Sequence, residues 1–307
     1  MSRLSSYHIM IISRYFATIK DFVNLELVCK KFGGNMEKFH FNPILLDFKT
    51  LRYFPNIETL HLWNEEDKNF GYGFLINTKN EENENDENDE NDENDENDEN
   101  DENDENDEND ENDENKEDKE DDKAVFKKEF FRIIVWFNVD FETVDKYNNG
   151  NIEFKNVTYT EHDRNLFGNN IPLSVKSIAD DCYCGCRRLT SFNIPSNVEK
   201  IGDCCFYECS NLSSIIIPPS VTSIGVSCFG GCSSLCSVNI PSSVESISGY
   251  CFGRCSSLSS IIIPPSVTSI GDSCFQYCGS LSSITIPSSV KSIGNQCFPS
   301  STVVHRD

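Results

Sequence analysis

Ile217-Pro-Pro-Ser-Val-Thr-Ser-Ile-Gly-Val-Ser-Cys-Phe-Gly-Gly-Cys-Ser-Ser-Leu-Cys-Ser-Val-Asn239 is one unit of a pattern that runs from Ile171 onward without a slip in phase. Ile-Pro opens a unit at 171, 194, 217, 240, 263 and 286, a fixed period of 23 residues. Apolar residues locked to fixed columns at such a period mark a stacked solenoid, whose units bury their apolar side chains only against neighbouring units. Within the unit, Val221 and Ile224 should point inward and Gly225 should permit a turn. Cys228-Phe229 to Cys232 should span one helical or 3-10 turn. Leu235-Cys-Ser-Val-Asn-Ile240 reads as a strand with Leu235, Val238 and Ile240 inward. Stacking at a strand spacing of ~4.8 Å makes successive strands one parallel sheet. The expected fold is an α/β repeat solenoid: a parallel-sheet stack with a short 3-10 or irregular convex side and a small N-terminal helical cap.

The array resembles the BspA-type (Treponema-like) leucine-rich repeats. Three features carry the resemblance: Ile-Pro-x-Ser-Val-x-Ser-Ile-Gly, the column Phe206, Phe229, Phe252, Phe275 and Phe298, and Cys-Ser-x-Leu before each strand. It is strong over 171–298 and weak over 51–170. Leu25-Glu-Leu-Val-Cys-Lys-Lys-Phe32 and Phe54-Pro-Asn-Ile-Glu-Thr-Leu60 look like the N-terminal half of the amoebic expansion of that family. The resemblance implies a non-enzymatic binding protein, and some members of the family are cell-surface adhesins.

On each strand the residues between the inward Leu and Ile should face out. They include Ser191 and Asn193, Ser214 and Ile216, Ser237 and Asn239, Ser260 and Ile262, and Ser283 and Thr285. Thr190, Ser213, Cys236, Ser259 and Ser282 precede them in a third lane. Such a face is small, uncharged and rich in hydroxyls. It suits broad contact with a protein or glycan more than steered capture of a charged ligand. Units opening Ile-Pro-Pro, at 217 and 263, alternate with the Ile-Pro-Ser form, which adds a 46-residue super-period.

Fourteen of the fifteen cysteines lie in the array. One column contains Cys205, Cys228, Cys251 and Cys274; a second, four residues on, contains Cys209, Cys232, Cys255 and Cys278. Three roles are open to them. Zinc usually takes Cys-x-x-Cys pairs converging tetrahedrally, whereas the spacing here is Cys-x-x-x-Cys and histidine is missing from the array before His305. Disulfides need an oxidising compartment. Buried thiols that fill a narrow column as small hydrophobes are the reading adopted, with no metal and no cofactor. Cys184, Cys204 and Cys236 fall outside the columns and should be exposed.

Outside the array four segments separate. Residues 1–46 read as short amphipathic helices, one with Leu4, Tyr7, Met10, Ile11, Tyr15 and Phe16 on its apolar face. A second, with Asp21 as N-cap, carries Phe22, Leu25, Val28 and Phe32 and stops at Gly33-Gly34. Asp21 to Phe32 also resembles an F-box core, which implies a cullin-ligase adaptor as partner through residues 21–32 and makes the array a substrate receptor. Residues 47–80 hold one degenerate repeat, Ile57-Glu-Thr-Leu-His-Leu62. Residues 81–123 contain ten consecutive Asp-Glu-Asn triplets and no apolar side chain, so disorder is expected. That tract holds 28 acidic residues and three lysines, and so carries the whole formal charge of −25. Residues 124–170 contain Phe131-Arg-Ile-Ile-Val-Trp-Phe137, expected as a strand beside Leu60-His-Leu-Trp63, and then an irregular stretch from 141 leading into the repeats of 171–307.

No basic patch with interleaved aromatics marks a nucleic-acid surface. No apolar run reaches the ~20 residues of a membrane span. The sequence shows neither a secretory signal nor a lipidation motif, which makes the cytoplasm the default compartment. Gly71-Tyr-Gly73 is too little for a phosphate loop, and the five histidines stand in no nucleophile or metal motif. The sequence therefore points to an interaction scaffold rather than an enzyme.

Overall fold

The computed structural model describes residues 16–28, 35–44, 48–64, 130–148 and 150–307. The chain divides into two compact units, 1–67 with 130–307, and 68–129. The second unit lies outside the described residues, as do the acidic tract, Gly71-Tyr-Gly73, the first expected helix up to Tyr15, and positions 29–34. Every described residue therefore belongs to the first unit.

The array folds as stacked coils whose turns run between two narrow parallel sheets. One sheet collects the Leu-x-x-Ile-x-Ile strands β5 (Ser191–Asn193), β7 (Ser214–Ile216), β9 (Ser237–Asn239), β11 (Ser260–Ile262) and β13 (Ser283–Ile286), and ends with β15 (Val303–Arg306), which lacks the pattern and pairs with β13 at a separation of 20 residues. The other collects two-residue strands from the Val-x-Ser-Ile segment: β4 (Ser177–Ile178), β6 (Lys200–Ile201), β8 (Ser223–Ile224), β10 (Ser246–Ile247), β12 (Ser269–Ile270) and β14 (Ser292–Ile293). Sequence reading anticipated one sheet. The second exists because the buried Val221 and Ile224 anchor a short extended segment that pairs with the same segment one coil away, as in Ile201↔Ile224.

Between the sheets the core is a set of columns. Tyr183, Phe206, Phe229, Phe252, Phe275 and Phe298 stack ring on ring, with centroids 5.1, 5.5, 5.4, 5.5 and 5.6 Å apart and planes within 11° of parallel. Parallel rings at that separation are offset-stacked, each pair adding roughly 0.5–1.5 kcal/mol beyond area burial. The four central rings are fully buried. Phe298, expected in the core, is half-buried at the end of the column, where it stacks on Phe275. The convex segment is not helical. It is a run of turns whose backbone pairs with the next coil, as in Phe206 N–H to the Cys228 carbonyl at 2.8 Å.

The Ile-Gly column answers a close approach. A Cβ on Gly225 would lie 2.4 Å from the Asp203 nitrogen, and one on Gly294 would lie 2.3 Å from the Asp272 nitrogen. Ser248 breaks this column. There the Ile224 carbonyl accepts from the Ser248 hydroxyl at 2.7 Å, whereas the equivalent Ile201 carbonyl accepts from the Gly225 amide at 2.9 Å. Strand pairing in the second sheet stops at this point, between β8 and β10. In the first sheet the strands pair as doublets, β5–β7, β9–β11 and β13–β15, so seams fall beside the Ile-Pro-Pro units.

Upstream, β1 (Thr59–Leu62) pairs in parallel with β2 (Arg132–Asp140), placing Leu60 opposite Ile133 as the sequence suggested. β2 pairs with β3 (Ile152–Tyr159), and β3 with β4. These long strands thus continue the two-residue-strand sheet, not the Leu-x-x-Ile-x-Ile sheet whose pattern Ile57-Glu-Thr-Leu-His-Leu62 shares. Residues 141–170, expected to be irregular, form ordered strand–helix turns. Helices α3 (Phe141–Lys146) and α4 (Glu161–Phe167) replace the Cys-Phe turns on the convex side. Paired residues there are 18 or 19 apart (Asn138↔Asn156, Thr158↔Ser177), against 23 in the array, which hides the repeat from a search at one period. Buried Asp163 ties both helices down. Its carboxylate accepts from the Glu142 amide at 2.9 Å and the Thr160 amide at 2.8 Å, capping two N-termini at once.

The N-terminal cap consists of α1 (Ile19–Val28), a 3-10 turn (Met36–Lys38) and α2 (Phe48–Leu51). Asp21 is not the N-cap. It lies in the first turn, and its carboxylate accepts from the Thr18 amide at 3.0 Å and hydroxyl at 2.9 Å, so the chain enters the helix at Thr18. Phe22 is fully buried, edge-on to Phe39 and Phe54 at 5.7 and 5.3 Å. Asn42 closes the open edge of β1. Its side chain accepts from the His61 amide at 2.6 Å and donates to the His61 carbonyl at 2.8 Å, as a further strand would.

Two pairs of substitutions test the column rule. Phe252→Ala should cost about 3–5 kcal/mol in denaturant unfolding, and Phe298→Ala clearly less. Gly225→Ala should be strongly destabilising, while Gly279→Ala, where an added Cβ meets nothing within 4 Å, should be near neutral. Equal losses in both pairs would overturn the account.

Candidate functional site

The structure places the ten predicted face residues outward. Strands β5, β7, β9 and β11 each show an exposed–buried–exposed pattern, and Ser283 and Thr285 are exposed on β13. Register arranges them in lanes. One lane pairs Ser191 with Ser214 and Ser237 with Ser260; the next pairs Asn193 with Ile216 and Asn239 with Ile262. Ile216 is 64% and Ile262 70% exposed, two apolar side chains at matching positions of successive doublets. The third lane serves the fold. Ser213 donates to the Thr190 carbonyl at 3.0 Å and Ser259 to the Cys236 carbonyl at 3.4 Å, stitching each doublet. No Asp, Glu, Lys or Arg stands in these lanes.

The cysteine columns are interior. Cys205, Cys228, Cys251 and Cys274 are fully buried. The second column's thiols each donate to a carbonyl of the preceding coil: Cys209 to Tyr183 at 3.1 Å, Cys232 to Phe206 at 3.2 Å, Cys255 to Phe229 at 3.1 Å and Cys278 to Phe252 at 3.0 Å. Burial pushes Cys251 and Cys278 up to about 12, away from the reactive thiolate. At the last coil the Cys274 thiol bonds Cys297, lowering Cys297 instead. Of the three cysteines expected to be exposed, Cys184 and Cys236 are; Cys204 is half-buried. Among the described residues no group of three or more His, Cys, Asp or Glu side chains gathers as a metal site, and no helix is long and apolar enough to cross a membrane.

A second exposed surface escaped the sequence reading. On the outward side of β1–β3, Trp136 Nε1 donates to His61 Nδ1 at 2.9 Å, with the two ring planes 17° apart. The ring centroids are 6.0 Å apart, so imidazole and indole belong to one aromatic cluster. Trp63 joins the cluster, its ring 5.5 Å from His61 and tilted by 28°. Burial, then the Arg132 and Lys155 charges, lowers the His61 pKa, which keeps Nδ1 an acceptor. Lys155 stands over the Trp136 ring at 5.7 Å and is held by Glu153, which also pairs with Arg132. Beyond Trp136 the same face opens into a groove of about 380 Å³ whose lining includes Asn138, Asn156, Thr158, Ser177 and Lys176. His61 and Trp136 are 75 residues apart in sequence, so no local motif announces the pair.

Coils of 23 residues with parallel strands, buried Phe and Cys columns and an uncharged outer face define a leucine-rich-repeat array. Residues 176–304 match, in six copies, the family described as BspA type leucine rich repeat region, and this part of the chain belongs to it. Similar solved structures include a leucine rich cell surface protein from Faecalibacterium prausnitzii A2-165, with 29% identity, 53% of this chain and 40% of that one covered, and a TM-score of 0.40. A leucine-rich repeat protein from Bacteroides ovatus ATCC 8483 shows 26% identity, coverages of 51% and 43%, and a TM-score of 0.38. The Leucine Rich Repeat protein of T. pallidum shows 27% identity, coverages of 48% and 55%, and a TM-score of 0.30. The chain thus spans less than half the length of the first two. No curated protein matches it.

Thiol accessibility checks the interior assignment. Native protein treated with iodoacetamide at neutral pH should modify Cys184 and Cys236 first and leave Cys205, Cys228, Cys251 and Cys274 unmodified until the chain is unfolded, as read by peptide mass spectrometry. Early modification of that column would contradict the packing.

Proposed function

We propose that the chain is an interaction scaffold that binds a protein partner through the Ser/Asn/Ile lanes of the β5–β15 sheet, with no catalytic role. The exposed pair Ile216 and Ile262 carries this reading. A fully buried Ile is worth about 1.5–3 kcal/mol relative to an exposed one, and a polar side chain at either position would leave the sheet intact. The array instead repeats an apolar side chain on an otherwise polar lane, flanked by amides that supply both donors and acceptors. Lanes without Asp, Glu, Lys or Arg favour close, flat contact over long-range steering.

The experiment is site-specific photocrosslinking in cells expressing the chain. A benzophenone side chain at Ser237 should capture a discrete protein partner, and one at Thr222, next to the opposite sheet, should not. Ile216→Asp with Ile262→Asp should abolish the adduct while leaving the melting temperature within a few degrees. Equal capture from both sheets, or an adduct that survives the double substitution, would sink the reading.

A further inference from the structure

We infer that the groove on the face of β2, β3, β4 and β6 binds a small ligand through a tetrahedral oxyanion, the phosphate or sulfate group of an ester. This site is separate from the serine–isoleucine lanes and does not depend on their role.

Four neighbouring strands build the groove. Asn138 comes from β2, Thr158 from β3, Ser177 from β4 and Lys200 from β6, with Lys176 just before β4 and Glu199 just before β6. Register sets Thr158, Ser177 and Lys200 in one row across the sheet. Strands lie ~4.8 Å apart, so the row spans about 10 Å, within reach of one small ligand.

Most of the neutral donors on this wall are already committed. Thr158 donates to Asn138 Oδ1 at 2.7 Å, and Ser177 therefore donates to Thr158 at 2.8 Å. The Asn156 amide donates to the Trp136 carbonyl. The relay uses the Asn138 carbonyl and leaves its Nδ2 group as a donor. The other donors of the wall are the Lys176 and Lys200 ammonium groups.

Charge decides what these donors receive. Lys176 pairs with Glu199 at 3.1 Å, which cancels one cation. Among the described residues no carboxylate pairs with Lys200, so the groove carries one unbalanced positive charge. The next cations along the face add to it, because Arg132 and Lys155 share the single carboxylate of Glu153. A cationic ligand would find only Glu199, already engaged, and a neutral one would leave Lys200 unmatched. An anion satisfies it.

Donor geometry then selects the kind of anion. A planar carboxylate is matched best by the planar fork of arginine, and no arginine lines the groove. Two point-like ammonium groups and one amide, arriving from separate parts of the sheet, suit an oxyanion whose oxygens point in several directions. A groove of about 380 Å³ leaves room beyond the oxyanion for the rest of a small molecule.

The test is an NMR titration of isotope-labelled full-length protein at neutral pH and a constant ionic strength of ~0.15 M, where long-range charge effects are screened. Inorganic phosphate, inorganic sulfate and acetate are the probes. Phosphate or sulfate should shift the Asn138 side-chain amide and Lys200 backbone amide signals saturably, and the tighter of the two identifies the ester. Acetate should bind at least about fivefold more weakly. Lys200→Met should weaken binding about tenfold, the loss of one charge-assisted hydrogen bond. Glu199→Gln should tighten it about threefold, because it frees Lys176. Lys291→Met, at an exposed lysine outside the groove, should change nothing. Lys200 and Glu199 are both exposed, and their opposite effects separate an anion site from a folding defect. No saturable shift, acetate binding as tight as phosphate and sulfate, a Glu199→Gln variant that fails to tighten, or an equal loss in Lys291→Met would overturn the assignment.

Discussion

Every coil of the array has to sit on a near copy of itself at the spacing that strand hydrogen bonds dictate, ~4.8 Å. This translation decides which residue types each column tolerates, because each side chain meets its own kind above and below. Aromatic rings satisfy it by offset stacking, and the Phe206 to Phe275 column adopts that solution at 5.4–5.5 Å. Where the backbones themselves converge, as at Gly225 and Gly294, no Cβ fits. Thiols fit because they are small and can still bond a carbonyl, which Cys232 and Cys255 do. A column of like charges would repel along its length. The aspartates that do stack, Asp180 and Asp203, each accept an amide from the next coil, at 2.7 and 2.6 Å.

The same rule explains why the exterior is built from serine. Ser220, Ser266 and Ser289 each reach back to a carbonyl of the preceding coil, at 2.7, 2.8 and 2.9 Å. A hydroxyl repeated at this spacing links coil to coil, where a carboxylate or ammonium would repel its copies. Neutrality of the outer face is therefore first a consequence of stacking. Binding chemistry has to be added at positions that vary between coils, and the Asn/Ile lane is such a position.

The array's fold was legible because its period holds from Ile171 to Ile286: Ile-Pro at six fixed positions places the strands, and alternation within Ser-Val-Asn places the face. The neighbouring of Leu60 and Ile133 was legible too, because both segments are short apolar strands with no competing partner nearby. What stayed hidden lay where the period shifts. Between β2 and β4 the turns shorten to 18 or 19 residues and helices replace the Cys-Phe segment, so fixed columns dissolve although the sheet continues unbroken. The aromatic surface was hidden for a related reason. Its two hydrogen-bonded rings come from strands separated by the acidic insertion, and only strand register brings them together.

The seams between doublets bear on how the array acts as a scaffold. A solenoid's stability is a sum of coil terms and nearest-neighbour terms. Between the coil of β7 and β8 and the coil of β9 and β10, strand pairing lapses in both sheets. That junction is carried by the Phe229–Phe252 stack, by convex backbone bonds such as Phe229 N–H to the Cys251 carbonyl, and by serine hydroxyls. Ile216 borders this seam, and Ile262 borders the next one in its sheet. The partner proposed for the Asn/Ile lane would cross both, bridging coils where the array's own pairing is interrupted. Its binding energy then adds directly to the nearest-neighbour terms at those junctions, so partner binding and coil-to-coil coupling become one thermodynamic quantity.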